Sequence, residues 1–207
     1  ELFCKHRHPV NIITKGAMIL RDIDLLADLA ADNLCSVAVS LPTLDRSLKR
    51  IMEPRVPSAE SRLAAIAALS ERSVPTSLLM APLIPTINDD EIERVIEAAA
   101  TAGVRQAHYI FLRLPFEVKE LFTEWLAAHF PERAEHVLSL VRQASGGKQY
   151  DNRFGVRQTG RGPYADMLAS RFKAACKRHG LVNEHYQERL SCERFEKPGQ
   201  KQLGLGF

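Results

Sequence analysis

The fold is decided by residues 76–112, which read TSLLMAPLIPTINDDEIERVIEAAATAGVRQAHYIFL. This stretch begins with an apolar run at residues 76–80 and ends with a second one at residues 106–112. Between them, apolar side chains recur at helical spacing, after Asn88-Asp89 and before Gly103. A strand, a helix and a second strand in this order are typical of a right-handed βαβ unit, whose two strands run parallel.

The same alternation extends toward the N-terminus. Two further apolar runs lie at residues 10–14 and 35–40, and a helical pattern follows each of them. All four runs are nearly continuous in apolar residues, which predicts a parallel sheet covered on both faces. The sequence therefore predicts an α/β fold with four βα units in the first part of the chain.

The β/α rhythm stops after Arg113. Helical spacing then marks residues 121–126, 134–141 and 164–179, and a loop rich in Gly and Arg precedes the last of these. We therefore expect two parts: residues 1–114 carry the βα units, and residues 115–207 form a helical C-terminal extension with a basic loop and a polar tail. Residues 143–207 hold 12 Lys and Arg against 6 Asp and Glu, so the positive charge is concentrated in this extension.

The composition excludes several classes of protein. The 207 residues are 45% hydrophobic and 26% charged, which excludes disordered and collagen-like chains. No apolar run approaches the roughly 20 residues that cross a bilayer, and the first residues carry no signal-peptide pattern. The four cysteines show no metal-binding spacing. Reduced thiols and a cytoplasmic location are therefore expected.

Candidate ligand-binding residues lie where the strands end, because parallel α/β sheets bind ligands at the carboxyl ends of their strands. Lys15 follows the first strand, Ser40 ends the second, and Ala81 with Pro82 follows the third. An ammonium beside a hydroxyl suits a carboxylate or a phosphate. A turn with small side chains lets a flat ring approach the backbone. The alternative is a solvated lysine and a helix-capping serine.

Other polar or reactive residues are assigned structural roles. Arg62 is expected to form a surface ion pair with Glu53. His108 lies in an apolar strand and is expected to be a hydrogen-bonded histidine of the core. Cys176 falls on the apolar side of the last helix and is expected to be a core thiol, and Cys192, in the polar tail, is assigned no role.

Several short motifs, in their order and spacing, resemble a known family. The sequence resembles the radical S-adenosylmethionine (SAM) proteins related to spore photoproduct lyase, often labelled DNA repair photolyase-like. The resemblance covers essentially the whole chain and is carried by Ile12-Ile13-Thr14-Lys15, Leu20-Arg21-Asp22-Ile23-Asp24-Leu25-Leu26, Val39-Ser40, Met52-Glu53-Pro54, Arg62 and Met80-Ala81-Pro82-Leu83-Ile84-Pro85.

The resemblance implies a partial (β/α)6 barrel, similar to a TIM barrel, that holds a [4Fe–4S] cluster and SAM. In this family an electron from the cluster cleaves SAM, and the 5′-deoxyadenosyl radical takes a hydrogen atom from the substrate. By resemblance Lys15 would hold the methionyl carboxylate, Ser40 would contact the polar end of the cofactor, and Ala81 with Pro82 would flank the adenine.

The sequence also departs from the family. The C-x3-C-x2-C loop that ligates the cluster is absent, and four strands are present where the family has six. We therefore expect this chain to be the C-terminal portion of a longer protein of about 350 residues. Its cluster ligands would lie outside residues 1–207, and the chain alone would be inactive. The strand at residues 10–14 would then leave an open edge, which predicts a homodimer.

Two other functions remain open. Lys15 could be the Schiff-base lysine of a barrel enzyme with aldolase-type chemistry. Alternatively, the basic C-terminal region could bind nucleic acid, by contacting phosphates and stacking a base on Tyr150 or Phe154. The residues proposed to contact phosphates are Arg142, Lys148, Arg153, Arg157 and Arg161.

Overall fold

The structure is a computed structural model that describes residues 1–145, 158–182 and 190–197. It contains one four-stranded sheet with the order β1-β2-β3-β4, and all neighbouring strands are parallel. This confirms the predicted α/β class. The strands are β1 (Val10–Thr14), β2 (Cys35–Ser40), β3 (Thr76–Leu83) and β4 (Gln106–Phe111).

Eight α-helices are assigned among the described residues. They are α1 (Leu2–Lys5), α2 (Ile23–Ala31), α3 (Arg46–Met52), α4 (Ala59–Glu71), α5 (Ile92–Thr101), α6 (Val118–His129), α7 (Ala134–Ala144) and α8 (Pro163–Arg178). The sequence pattern missed α3, because this helix is short and has only three apolar residues among its seven. A local signal was present: the Asp45 carboxylate accepts hydrogen bonds from the backbone N–H groups of Ser47 and Leu48, which caps the helix.

Among the residues that the structure describes, the helices cover one face of the sheet and leave the other open, whereas the sequence predicted two covered faces. Side chains such as Val37, Leu78 and Ala107 point into the helix-covered core and are fully buried. The alternate residues face the other side, where Asn11 and Ile13 are exposed. Small and apolar residues on both sides of the strands hid this alternation in the sequence.

The open face forms the floor of a cavity of about 730 Å³. His108 lines this cavity and is half-buried, so it is not the core histidine that the sequence predicted. Its strand, β4, alternates between the two faces, and position 108 falls on the open one. The cavity is also lined by the turn after α8, at residues 179–182.

The C-terminal helix α8 packs against the sheet region. The rings of Phe172 and Tyr109 lie 4.9 Å apart, and the Arg171 guanidinium forms two hydrogen bonds to the Glu93 carboxylate, at 2.8 and 3.1 Å. Cys176 is fully buried, which confirms a core thiol, and burial raises the pKa of this thiol to about 12. The expected division of the chain into two parts, residues 1–114 and 115–207, stays a prediction.

The segment at residues 190–197 lies beside the start of the chain. The Glu196 N–H donates to the carbonyl of His6 at 2.9 Å, and the Phe195 ring contacts the His8 ring edge-on at 5.1 Å. Arg194 pairs with Asp32, just past the end of α2. We call this segment the C-terminal strap.

The first strand forms an edge of the sheet. Within the residues described, no strand pairs with β1 on the side away from β2. Ile13 and, close by in the chain, Met18 are exposed there. Dimerisation through residues 10–14 stays a prediction.

Candidate functional site

The site lies at the carboxyl ends of β1, β2 and β3. The register pairs Thr14 with Val39, so Lys15 follows β1 beside the end of β2 at Ser40. The Lys15 side chain is 52% exposed, and its Nζ lies 2.8 Å from Oε1 of Glu53. The structure therefore places this ammonium at the expected edge, paired with a carboxylate.

Glu53 is shared between two cations. Its Oε2 accepts a hydrogen bond of 2.5 Å from Nη2 of Arg62, while its Oε1 faces Lys15. Burial favours a higher pKa for the Glu53 carboxyl, but the ion pair with Lys15 and the hydrogen bond from Arg62 outweigh it, so the pKa is lowered. Glu53 therefore stays ionised and links the two cations.

Arg62 is a buried residue, and the expectation of a surface ion pair was wrong. It is 1% exposed, and besides Glu53 it donates from Nη1 to the Ser40 carbonyl at 2.8 Å and from Nε to the Pro57 carbonyl at 3.1 Å. Arg62 lies in the first turn of α4, which starts after a Ser58 cap. Helix α4 thus places the guanidinium beneath the strand ends.

Ser40 and Ala81 come from neighbouring strands and meet at the same edge. The Ser40 hydroxyl donates a long hydrogen bond of 3.4 Å to the Ala81 carbonyl, and Ser40 is 3% exposed. The sequence placed Ala81 and Pro82 after the third strand, whereas they lie inside β3, where the pairing with β4 shifts register. The bond between them is a cis peptide.

Asn88 fixes the backbone around Pro82, and the sequence did not single out this function. Asn88 is fully buried, and its Nδ2 donates to the carbonyls of Pro42 at 2.8 Å and Pro82 at 3.0 Å. Its Oδ1 accepts from the Ile84 N–H at 2.7 Å. One side chain therefore ties the turn after β2 to the end of β3.

A second buried contact supports the same turn. The Glu91 carboxylate accepts hydrogen bonds from the Thr43 hydroxyl and from the Leu44 N–H, the latter at 2.9 Å. Polar residues at the start of a helix usually cap that helix, so the sequence indicates no more than a helix start at Asn88. The sequence signal for these contacts is weak, because Asn88 and Glu91 lie five and eight residues after the end of β3 at Leu83.

No metal centre is formed by the described residues, since no group of three His, Cys, Asp or Glu side chains among them could hold a metal ion. The cysteines found free are Cys4, Cys35, Cys176 and Cys192. In the described ranges, no helix is long and apolar enough to cross a bilayer.

The basic C-terminal region is described only in part. Arg142 and Arg161 are exposed, and the Arg161 N–H donates to the carbonyl of Ala144, which brings the two arginines into one region. The other predicted phosphate contacts, Lys148, Arg153 and Arg157, lie outside the described residues, as do Tyr150 and Phe154.

Comparison with known proteins finds a family model that matches the part of the chain carrying the site. The sequence profile of the Radical SAM superfamily matches residues 1–99, which include all four predicted cofactor contacts. An uncharacterized protein of Mycobacterium bovis is 28% identical over 184 residues, which are 86% of this chain and 49% of that protein. An uncharacterized protein of Methanocaldococcus jannaschii is 28% identical over 129 residues, 62% of this chain and 47% of that protein. The chain spans about half the length of these relatives.

Solved structures of spore photoproduct lyase share the fold. One mutant superimposes with a TM-score of 0.59 at 16% identity, over 86% of this chain and 51% of the lyase. A double mutant with bound AdoMet and dinucleoside spore photoproduct gives a TM-score of 0.58, also at 16% identity and with the same coverage. The expected partial barrel of the TIM type is thus supported. Residues 1–99 match the model of the Radical SAM superfamily, and the chain has the fold of about half of spore photoproduct lyase.

Proposed function

We propose that this chain forms the SAM-binding edge of a radical SAM enzyme, with Lys15, Ser40, Ala81 and Pro82 holding the cofactor. The observation that carries the proposal is the convergence of β1, β2 and β3 at one edge, where a cation, a hydroxyl and the small side chains of Ala81 and Pro82 lie together. Bound together, SAM and an iron–sulfur cluster supply reductive cleavage of the sulfonium and a carbon radical that takes hydrogen from the substrate.

The residues at the edge fit SAM by their chemistry. Lys15 has three N–H donors, of which the Glu53 carboxylate needs one, so donors remain for a ligand carboxylate. The Ser40 hydroxyl donates to Ala81 and keeps its own acceptor capacity. Ala81 and Pro82 bring no bulky side chain to the backbone, which suits a flat adenine ring.

The same geometry favours SAM over the Schiff-base alternative. A Schiff-base lysine attacks as a neutral amine, usually in a desolvated pocket or beside another cation. Lys15 is half-exposed, and its close neighbour is a carboxylate. The ion pair suits a lysine that binds an anion.

The proposal assigns the cluster to ligands outside residues 1–207. The half-length coverage of the relatives supports this assignment. Alone, the chain is expected to bind SAM without cleaving it. The cytoplasmic location expected from the sequence stays a prediction.

Substitution of Lys15 tests the proposal. We expect Lys15→Met to weaken SAM binding about tenfold or more, because a charge-assisted contact contributes about 1.5–3 kcal/mol. Isothermal titration calorimetry of the 207-residue chain with SAM measures this change. Lys173→Met, at an exposed position of α8, is the matched control and should leave the affinity unchanged. Absence of SAM binding in the unsubstituted chain, or an unchanged affinity in Lys15→Met, would contradict the proposal.

A second candidate function is nucleic-acid binding by the C-terminal region, and the proximity of Arg142 and Arg161 favours it. The dinucleoside bound by a spore photoproduct lyase mutant makes DNA the probe of choice. Cations that contact phosphates release counterions, so binding to a single-stranded oligonucleotide should weaken steeply between about 50 and 200 mM salt.

Two variants separate phosphate contacts from a solvated surface. Arg142→Ala and Arg161→Ala should each reduce the slope of log affinity against log salt by about one, as measured by fluorescence anisotropy. Arg46→Ala, which removes an exposed arginine paired with Glu60 on the first part of the chain, should not change this slope. Salt-independent binding, or no binding, would show that the basic region is only solvated.

A further inference from the structure

We infer that Glu53, held by Arg62, is the positioning residue for the amino-acid end of SAM. The inference rests on the proposed function and adds two residues that do not themselves contact the cofactor. Glu53 fixes the direction of the Lys15 ammonium, and Arg62 fixes both Glu53 and the strand end that carries Ser40.

The first step is the rigidity of Arg62. A guanidinium donates in a fixed planar pattern, and that of Arg62 is used in three directions, toward Glu53 and the carbonyls of Ser40 and Pro57. At 1% exposure it has no room to rotate toward water. Arg62 is therefore a fixed reference point between α4 and the end of β2.

The second step is the orientation of Glu53. Arg62 takes one carboxylate oxygen, which leaves the other, Oε1, directed at Lys15. Glu53 is 7% exposed and so cannot exchange these partners for water freely. The carboxylate transmits the fixed position of Arg62 to the lysine.

The third step concerns Lys15 itself. Its side chain is 52% exposed, and a free lysine at a strand end would sample many rotamers. The contact of 2.8 Å with Glu53 limits the ammonium to one region and leaves its other N–H groups for a ligand. Ordering the lysine before the ligand arrives reduces the entropic cost of binding.

The fourth step is the charge of the group. Lys15, Glu53 and Arg62 together carry two positive charges and one negative charge, which leaves one positive charge at the half-exposed end. This sign suits a carboxylate. Because Arg62 also holds the Ser40 carbonyl, the same two residues connect both proposed contacts with the polar end of SAM.

A ligand lacking the carboxylate tests whether Glu53 acts through Lys15. We expect Glu53→Gln to weaken binding of SAM about tenfold, while the affinity for decarboxylated SAM changes little. In a chain that already carries Lys15→Met, the same substitution should have no further effect, because the two residues act as one unit. Calorimetry with both ligands measures these affinities.

A shorter acid keeps the test valid if the amide destabilises the fold. Glu53→Asp retains a negative charge near Arg62 but is one methylene too short to reach Lys15 as well. It should show the same selective loss of SAM affinity. Glu60→Gln is the control, since Glu60 lies on the same helix as Arg62 and pairs with Arg46 at the surface.

The possible results separate the two proposals. No binding of SAM by the unsubstituted chain overturns the proposed function. If SAM binds and Lys15→Met weakens it, three results would overturn the positioning role alone. These are an equal loss for both ligands in the Glu53 variants, tighter SAM binding, or an unchanged affinity for SAM.

Discussion

Replacing Arg62 with alanine is expected to lower the free energy of unfolding by about 3–5 kcal/mol, because it leaves the Glu53 carboxylate buried without its guanidinium partner. The carbonyls of Ser40 and Pro57 lose their donor in the same step. Chemical denaturation, followed by circular dichroism at neutral pH, measures this change.

An exposed pair of the same chemistry provides the control. Arg46 lies 2.6 Å from Glu60, with both side chains more than half exposed. Arg46→Ala should cost at most about 1 kcal/mol, as is usual for solvated ion pairs. Equal effects of the two substitutions would show that Arg62 does not stabilise the fold through a buried pair.

The effect of Arg62→Ala should also depend on pH. The folded protein lowers the pKa of Glu53, so this carboxylate contributes stability above its usual pKa of 4.5 and loses that contribution as the pH falls further. In the Arg62→Ala variant, protonation of Glu53 also removes the buried negative charge that has lost its guanidinium partner. The difference in the free energy of unfolding between the unsubstituted chain and Arg62→Ala should therefore become smaller at acidic pH.

Replacing Asn88 with alanine is expected to cost about 3 kcal/mol or more. The substitution removes the Asn88 partner from three backbone groups: the buried Pro42 carbonyl and Ile84 N–H, and the partly buried Pro82 carbonyl. Each such group costs about 1–3 kcal/mol, and the vacated space adds to the loss. Denaturant titration gives the stability, and calorimetry with SAM reports on the edge near Pro82.

Two further substitutions define what Asn88 contributes. Asn88→Asp keeps an acceptor for Ile84 but cannot donate to the two proline carbonyls, so it should also be strongly destabilising. Gln143→Ala removes an exposed amide from α7 and should change stability by no more than about 0.5 kcal/mol. A small effect of Asn88→Ala would mean that water replaces its hydrogen bonds.

The sequence predicted the four strands and the position of the candidate site at their carboxyl ends well, because both depend on local patterns. Continuous apolar runs marked all four strands, and the rule for parallel sheets placed Lys15 and Ser40 at one edge. The structure brings these residues together from different strands, as that rule requires. Their role in binding SAM remains a prediction.

The contacts beneath the edge could not be predicted in the same way. Arg62 is charged, and charged residues are rarely buried unless they are paired. The sequence alone does not show which residue is the partner. Asn88 resembled an ordinary helix start, although its bonds reach residues far away in the chain. The sequence did not indicate the open face of the sheet, because Ala38 and Leu79, which lie on it, are apolar and would fit a covered face equally well. These features depend on packing between residues that are far apart in the chain, and no local sequence pattern shows such contacts.

The C-terminal strap affects how the chain acquires its structure during synthesis. His6 and Glu196 contact each other across 190 residues, so their hydrogen bonds cannot form until residue 196 has left the ribosome. The last of the four described strands, by contrast, already ends at residue 111. A nascent chain stalled before residue 190 would expose the start of β1 and the residues after α2 to proteases. Release of residues 190–197 would then protect the segment around His6 and the residues after α2.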